Sequence, residues 1–373
     1  MSAANSSHAT AFWVRNTIAL KLILRFALIG VAVGVVYGHL TAPAQGTASI
    51  FDGVARGAID GAMISIMISS FEVLFLQAEA GAAVRRLPFL PHLAIKTLCY
   101  LVIFLFALSI GAILLPSPQE RVTGFVIYRQ DVVFCFIVSF VIVFLFDISQ
   151  LLGPNVMLNL LTGRYHRPKV EDRVFLLIDM EDSTRAAERL GEVAFHRLLN
   201  RFVSDLTFPI LRQRGEIYRF VGDELIASWK LDRGVEDAHC VRACFEALAT
   251  LATLGPLYER DYGVRPSFRA GLHCGPVVVG EMGVIKKEIA FLGDTINTAE
   301  RIQAACRETG NRVLASVALV DRLQLPPGIV VRSLGAFRLR GKESDIALCA
   351  LEETAMDERE NSHERSIESG NQP

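Results

Sequence analysis

Four long apolar runs, at residues 17–39, 58–78, 93–115 and 131–152, dominate the first part of this 373-residue chain. Each approaches the ~20 residues that a helix needs to cross about 30 Å of hydrocarbon. From Arg164 onward charged residues alternate with apolar ones, so the two parts are built for different solvents. The chain is also too long for a single core. The expected organisation is an N-terminal segment 1–16, a membrane domain 17–152 with a four-helix transmembrane bundle, a connector 153–170, a second domain 171–352, and a polar, disordered tail 353–373.

Basic residues set the expected orientation. Arg15, Lys21 and Arg25 flank the first run, Arg85, Arg86 and Lys96 join the second to the third, and Arg164, Arg167 and Lys169 follow the fourth. The positive-inside rule then predicts a multi-pass protein of the cell membrane with both termini cytoplasmic. Glu72 and Asp147 fall inside apolar runs, where an ionisable group points to a bundle interior. A sensing or ion-pathway role competes there with plain packing polarity. Gly153-Pro154 ends the fourth run, and Asn155 to Thr162 reads as a short amphipathic helix closed by Gly163.

A net charge of −1 leaves no footprint for nucleic acid, and seven cysteines without a Cys-x-x-Cys pair imply neither a disulfide framework nor a zinc site. In the second part, periodicity predicts strand 173–179, helices within 185–213, a hairpin of strands 216–221 and 224–230, helix 235–254, strands 267–274 and 288–292, and helix 295–307. This order fits an α+β ferredoxin-like (βαββαβ) sheet with helices on one face.

Asp179 ends the first of these strands and Asp223 sits at the hairpin tip, and in such a sheet the two strands are neighbours. Two carboxylates brought together need a cation between them, and hard oxygen ligands select magnesium or manganese. The stretch Met180 to Thr184 leads into a helix whose first amides are free for phosphate oxygens. Asn297 and Arg301, four apart, share one helix face, where an amide and a guanidinium suit a ribose and a phosphoryl group. Glu181 and Asp182 read as a helix-start charge and cap, and His273 as a packed strand residue.

Four stretches, Asp179–Thr184, Phe220–Glu224, Arg269–Gly283 and Gly293–Arg301, resemble the class III adenylate and guanylate cyclase family over about residues 170–352. The resemblance implies two metal ions, Mg2+ or Mn2+, held by Asp179 and Asp223 with the Met180 carbonyl. It implies catalytic roles for Asn297 on the ribose and Arg301 on the transition state, and substrate contacts at Ser183, Thr184 and Arg340 or Lys342. It further implies a homodimer whose sites lie between subunits, and conversion of ATP to cyclic AMP and pyrophosphate. Arg219 and Ala290 stand where relatives specific for ATP carry a lysine and an Asp or Thr that read the base. Alanine offers no side-chain hydrogen bond, so the base stays open between ATP and GTP. A diguanylate cyclase is one rival, since Val221-Gly-Asp-Glu-Leu225 resembles its signature but lacks the second glycine. A catalytically inactive, cyclase-like receptor is the other.

Overall fold

The computed structural model describes residues 23–24, 27–40, 50–72, 82–85, 87–114, 129–152, 159, 162–285, 287–338 and 345–354. The chain divides into two compact units, Met1–Met157 and Leu158–Pro373. The connector helix expected at 155–162 falls largely outside the described residues, as do the N-terminal segment, the tail beyond Thr354, and Arg340 and Lys342.

The first unit is helical: α1 (Ala27–Leu40), α2 (Ile50–Ser70), the short α3 (Ala82–Arg85), α4 (Phe89–Leu114) and α5 (Arg129–Leu152). The four longer helices occupy the four apolar runs, but α2 starts at Ile50, eight residues before the run at 58. Of these, α4 alone is both long and apolar enough throughout to cross a membrane, so four spans are more than the described helices establish. Lys96 is not a joining-loop charge as expected. It lies inside α4, 2% exposed, held at 3.1 Å by Glu72 Oε1 and at 2.9 Å by Asp147 Oδ1.

Glycines at a spacing of four zip α1 to α2. A Cβ added at Gly34 would overlap the Gly57 carbonyl, one at Gly38 the Gly53 carbonyl, and one at Gly61 the Gly30 carbonyl. The backbones touch directly, the packing that small residues permit where no water drives helices together.

The second unit holds a mixed sheet. In chain order come β1 (Lys169–Met180), α6 (Ser183–Leu190), α7 (Glu192–Arg212), β2 (Glu216–Val221), β3 (Glu224–Lys230), α8 (Leu231–Val235), α9 (His239–Tyr262) and β4 (Phe268–Met282). Then follow β5 (Glu288–Leu292), α10 (Asp294–Thr309), β6 (Val313–Ser316), α11 (Val317–Val320), β7 (Ile329–Phe337) and β8 (Ile346–Glu353). The strand order is β2-β3-β1-β4-β6-β8-β7, with β5 paired to β4. Its β2-β3-β1-β4 part is the expected βαββαβ arrangement.

One expectation is corrected. Helices cover both faces of the sheet, because β1 is apolar at every position from Val174 to Ile178. Val174, Leu176 and Ile178 pack with Leu198, Phe202 and Val241 of α7 and α9, whereas Phe175 and Leu177 pack with Ala299 of α10 and Phe291 of β5. A strand buried on both sides reads as a continuous apolar run, not an alternation. The apolar stretch Leu231–Tyr262 also has a composition fit for a membrane, yet α9 within it is a core helix whose Cys240, Val241, Cys244 and Ala247 pack in the core with β1.

Candidate active site

Strand β1 pairs with β3 so that Asp179 faces Glu224 across the ladder, and the β2–β3 turn at Gly222-Asp223 therefore closes over the end of β1. Gly222 has φ +61°, a left-handed conformation that glycine adopts without a steric penalty and that lets so tight a turn present Asp223. The two carboxylates lie within hydrogen-bond reach of each other. Burial, and then the charge of Asp223, push the Asp179 carboxyl above the ordinary carboxylate range, while a hydrogen bond from Gln303 and the nearby Arg307 oppose that rise. Glu224 next door is pushed up to about 7, first by burial and then by Glu300, Asp179 and Asp223. This end of the sheet carries more negative charge than it can hold alone.

The residues fit a hard divalent cation. Among the described residues no three His, Cys, Asp or Glu side chains converge on one point, so a cation here would rest on Asp179, Asp223 and oxygens supplied from elsewhere. Magnesium and manganese accept that arrangement, because magnesium keeps several waters and takes few protein ligands. The Met180 side chain is buried in the core, which leaves only its backbone for such a role.

The chain turns sharply after β1. Asp182 has φ +54°, a left-handed residue that starts α6 directly beyond the strand end, so that Ser183 and Thr184 open the helix. Asp182 occupies the cap position without making a side-chain cap bond, and Glu181 instead pairs with Arg269 at 2.8 Å. His273 is hydrogen-bonded through Nδ1 to Ser316 Oγ at 2.7 Å, a strand residue tied into the sheet.

Helix α10 lies close on β4, where a Cβ at Gly271 would strike the Gln303 amide nitrogen. Its inward edge sends Gln303 and Arg307 toward Asp179. Asn297, exposed, and Arg301, half-buried, belong to its outer stripe with Asp294 and Ala304. At about 100° per residue, Arg301 points roughly 160° away from Gln303. Within one chain α10 thus offers one face to its own aspartates and the Asn297/Arg301 pair to a different space. Gln303 is the residue that sequence reasoning passed over, since a buried glutamine in an amphipathic helix gives no signal until its partner is known.

The two positions expected to read the base lie on β2 and β5. Ala290 is buried opposite Gly280 of β4, and Arg219 is half-exposed, 5.2 Å above the Tyr218 ring. Arg219 is not alone. Its Nη2 meets Glu288 Oε1 at 2.8 Å, and Glu288 stands two residues before Ala290, on the same face of β5. Beneath them Tyr218 and Phe291 pack with ring centroids 4.5 Å apart, and the Phe291 amide donates to the Tyr218 hydroxyl, joining the two strands.

The family model of the adenylate and guanylate cyclase catalytic domain matches residues 167–352. Adenylate cyclase 2 of Rhizobium meliloti is 39% identical over 210 residues, 56% of this chain and 58% of that protein. The chain therefore spans little more than half of that relative. Retinal guanylyl cyclase 2 of Homo sapiens is 28% identical over 205 residues, covering 53% of this chain and 18% of that one. Among solved structures, the adenylyl cyclase CyaB from P. aeruginosa superposes with a TM-score of 0.44 at 17% identity, over 51% of this chain and 98% of that one. Through residues 167–352, this chain belongs to the class III adenylate and guanylate cyclase family.

Proposed function

We propose that the protein is a membrane-bound adenylate cyclase, converting ATP to 3′,5′-cyclic AMP and pyrophosphate in a homodimer with two sites at the subunit interface. The observation that carries this reading is the division of α10. Gln303 steadies Asp179 from one side, and Asn297 and Arg301 face away on the other. A site needing both groups is completed when the Asn297/Arg301 face of one chain meets the Asp179/Asp223 end of another, which suits a two-fold dimer with two equivalent sites.

Asp179 and Asp223, with the Met180 carbonyl, would hold Mg2+ or Mn2+, which when bound lowers the pKa of the ribose 3′ hydroxyl and offsets triphosphate charge. The amides of Ser183 and Thr184 at the start of α6 would donate to phosphate oxygens, with Arg340 or Lys342 as a further phosphate contact. Asn297 orients the ribose so that its 3′ oxygen faces the α-phosphorus. Arg301 places its guanidinium on the phosphoryl oxygens, where charge builds as the 3′ oxygen attacks and pyrophosphate leaves.

Arg219 and Glu288 supply a donor and an acceptor beside the base. Adenine meets them with N1 and N6, and guanine with O6 and N1, so the preference for ATP rests on the likeness to Adenylate cyclase 2. Guanylate cyclase is the second reading. The membrane location is supported by α4, whose Leu98, Val102, Phe106 and Ile113 are exposed apolar side chains on one helix, more than a water-facing surface accommodates.

The test is a nucleotide assay of full-length protein in detergent, with ATP or GTP and manganese. Cyclic AMP from ATP is expected, and no cyclic product from either nucleotide by verified dimers would overturn the reading. Asp223→Ala and Arg301→Ala should each be inactive and regain partial activity when mixed, since one site of the heterodimer stays intact. No recovery in confirmed heterodimers would argue against a shared site.

A further inference from the structure

The first unit contains a buried polar cluster that a nucleotide-cyclising reaction does not use. It joins three helices. Lys96 of α4 reaches Glu72, just beyond α2, and Asp147 of α5, while the Tyr100 hydroxyl donates to Glu72 Oε2 at 2.7 Å. His92, one turn before Lys96, completes the group, with Nε2 at 3.6 Å from Asp147 Oδ2. Cys99 is the other titratable side chain on this part of α4. Among the described residues the cluster holds one ammonium and two carboxylates, all at most 9% exposed, and so carries a net negative charge when the imidazole is neutral.

The hydrogen bonds identify where compensation belongs. His92 Nδ1 lies 3.0 Å from the Val84 carbonyl, which can only accept, so Nδ1 carries the hydrogen and Nε2 of the neutral ring is a bare acceptor. That bare nitrogen faces Asp147 Oδ2, a buried oxygen with no hydrogen-bond partner among the described residues. Two acceptors are thus aimed at each other at a distance too long for a hydrogen bond.

We propose that His92 Nε2 and Asp147 Oδ2 form a one-proton binding site. A proton on Nε2 gives the imidazolium a donor at each nitrogen, supplies the missing partner of Oδ2, cancels the surplus negative charge, and turns a repulsive gap into a charge-assisted hydrogen bond between α4 and α5. Helix α5 ends at Leu152, shortly before the second unit begins at Leu158, so the proton strengthens the hold on the helix that leads by sequence into the cyclase domain.

The test follows the thermal midpoint of the full-length chain in phospholipid nanodiscs from pH 5.5 to 8.5, for wild type, His92→Gln and Asp147→Asn. A proton bound by the folded unit and not by the unfolded chain stabilises at low pH, and that stability is lost as pH rises. Wild type should therefore exceed His92→Gln most at pH 5.5, with the difference falling by roughly 3 °C for each tenfold preference of the folded state for the proton. Asp147→Asn should lose the same pH dependence. His92→Gln keeps a neutral donor, and if Asp147→Asn does not fold, the comparison with His92→Gln decides alone. A difference that does not change with pH overturns the proposal, and one set by sodium or potassium instead of pH assigns the gap to a metal cation and overturns it equally.

Discussion

Gln303, on the inward edge of α10, acts on the Asp179 carboxyl to lower its pKa against the rise that burial imposes, making it the support of a carboxylate that would ligate the metal ions. Partners of this kind fix the orientation of a ligand, and their loss typically costs 10–100-fold in metal affinity. Gln303→Leu should therefore raise the manganese concentration for half-maximal cyclase activity by roughly tenfold or more, while saturating manganese restores much of the rate. An unchanged metal dependence would show that Gln303 has no bearing on the site.

The Arg219–Glu288 pair predicts a change in selectivity with little change in stability. Both side chains are more than a third exposed, so breaking the pair should cost under about 1 kcal/mol. Glu288→Ala removes the acceptor nearest Arg219 and should alter the ratio of kcat/KM for ATP to that for GTP by roughly tenfold, the worth of one good polar contact. Steady-state kinetics with both nucleotides check it. Equal losses on the two substrates would place Glu288 outside base recognition.

Much of the cyclase unit was legible in the chain. The strands 216–221, 224–230 and 288–292 fall where periodicity puts them, because Gly222-Asp223 and Gly293 punctuate them sharply. Other boundaries yielded to tertiary contacts. Strand β4 runs on through Gly275, Pro276 and Gly280 to Met282, since β1 and β5 pair along its length, and α9 continues past Pro256 to Tyr262 despite the lost amide. Asp179, Asp223, Asn297 and Arg301 could be named from sequence because they sit at element ends or at helical spacing. Gln303, Glu288 and Lys96 could not, for each gains meaning only from the residue that packing places opposite it. The same holds for Gly30, Gly34 and Gly38 against Gly53, Gly57 and Gly61, whose spacing takes its meaning from the contact between the helices.

That contact predicts a packing defect. A side chain at Gly57 would strike the Gly34 carbonyl backbone, which has no flexible end to move aside. Gly57→Leu should force α1 and α2 apart and lower the thermal midpoint of the full-length protein in detergent by several degrees, consistent with an overpacking cost of about 1–3 kcal/mol. A polar substitution on the exposed face of α10, such as Glu308→Gln, should leave the midpoint in place. Equal midpoints for wild type and Gly57→Leu would mean that the helices do not meet at these glycines.

Arg173 of β1 predicts an acid limb for the cyclase unit. Its guanidinium is buried, bonded to Glu171 Oε2 at 3.0 and 3.1 Å, to Glu216 Oε2 at 3.2 Å and to Ser228 Oγ at 3.1 Å, and it lies 4.6 Å from the centre of the Phe291 ring. Burial pushes the Glu171 carboxyl up, but hydrogen bonds from Tyr165 and Arg173, with the charge of Arg173, outweigh it and hold the group below the ordinary glutamate value. The unfolded chain then binds a proton at Glu171 before the folded one does, so stability rises with pH across that window. The contribution is complete above the ordinary value near 4.5 and is lost as pH falls through the depressed one. The midpoint advantage of wild type over Glu171→Gln should hence be constant from pH 7 to about 5.5 and shrink below about 4.5. If the advantage is instead flat down to about pH 3, Glu171 is not held ionised by Arg173, and the buried guanidinium must find its compensation in Glu216 and the face of Phe291.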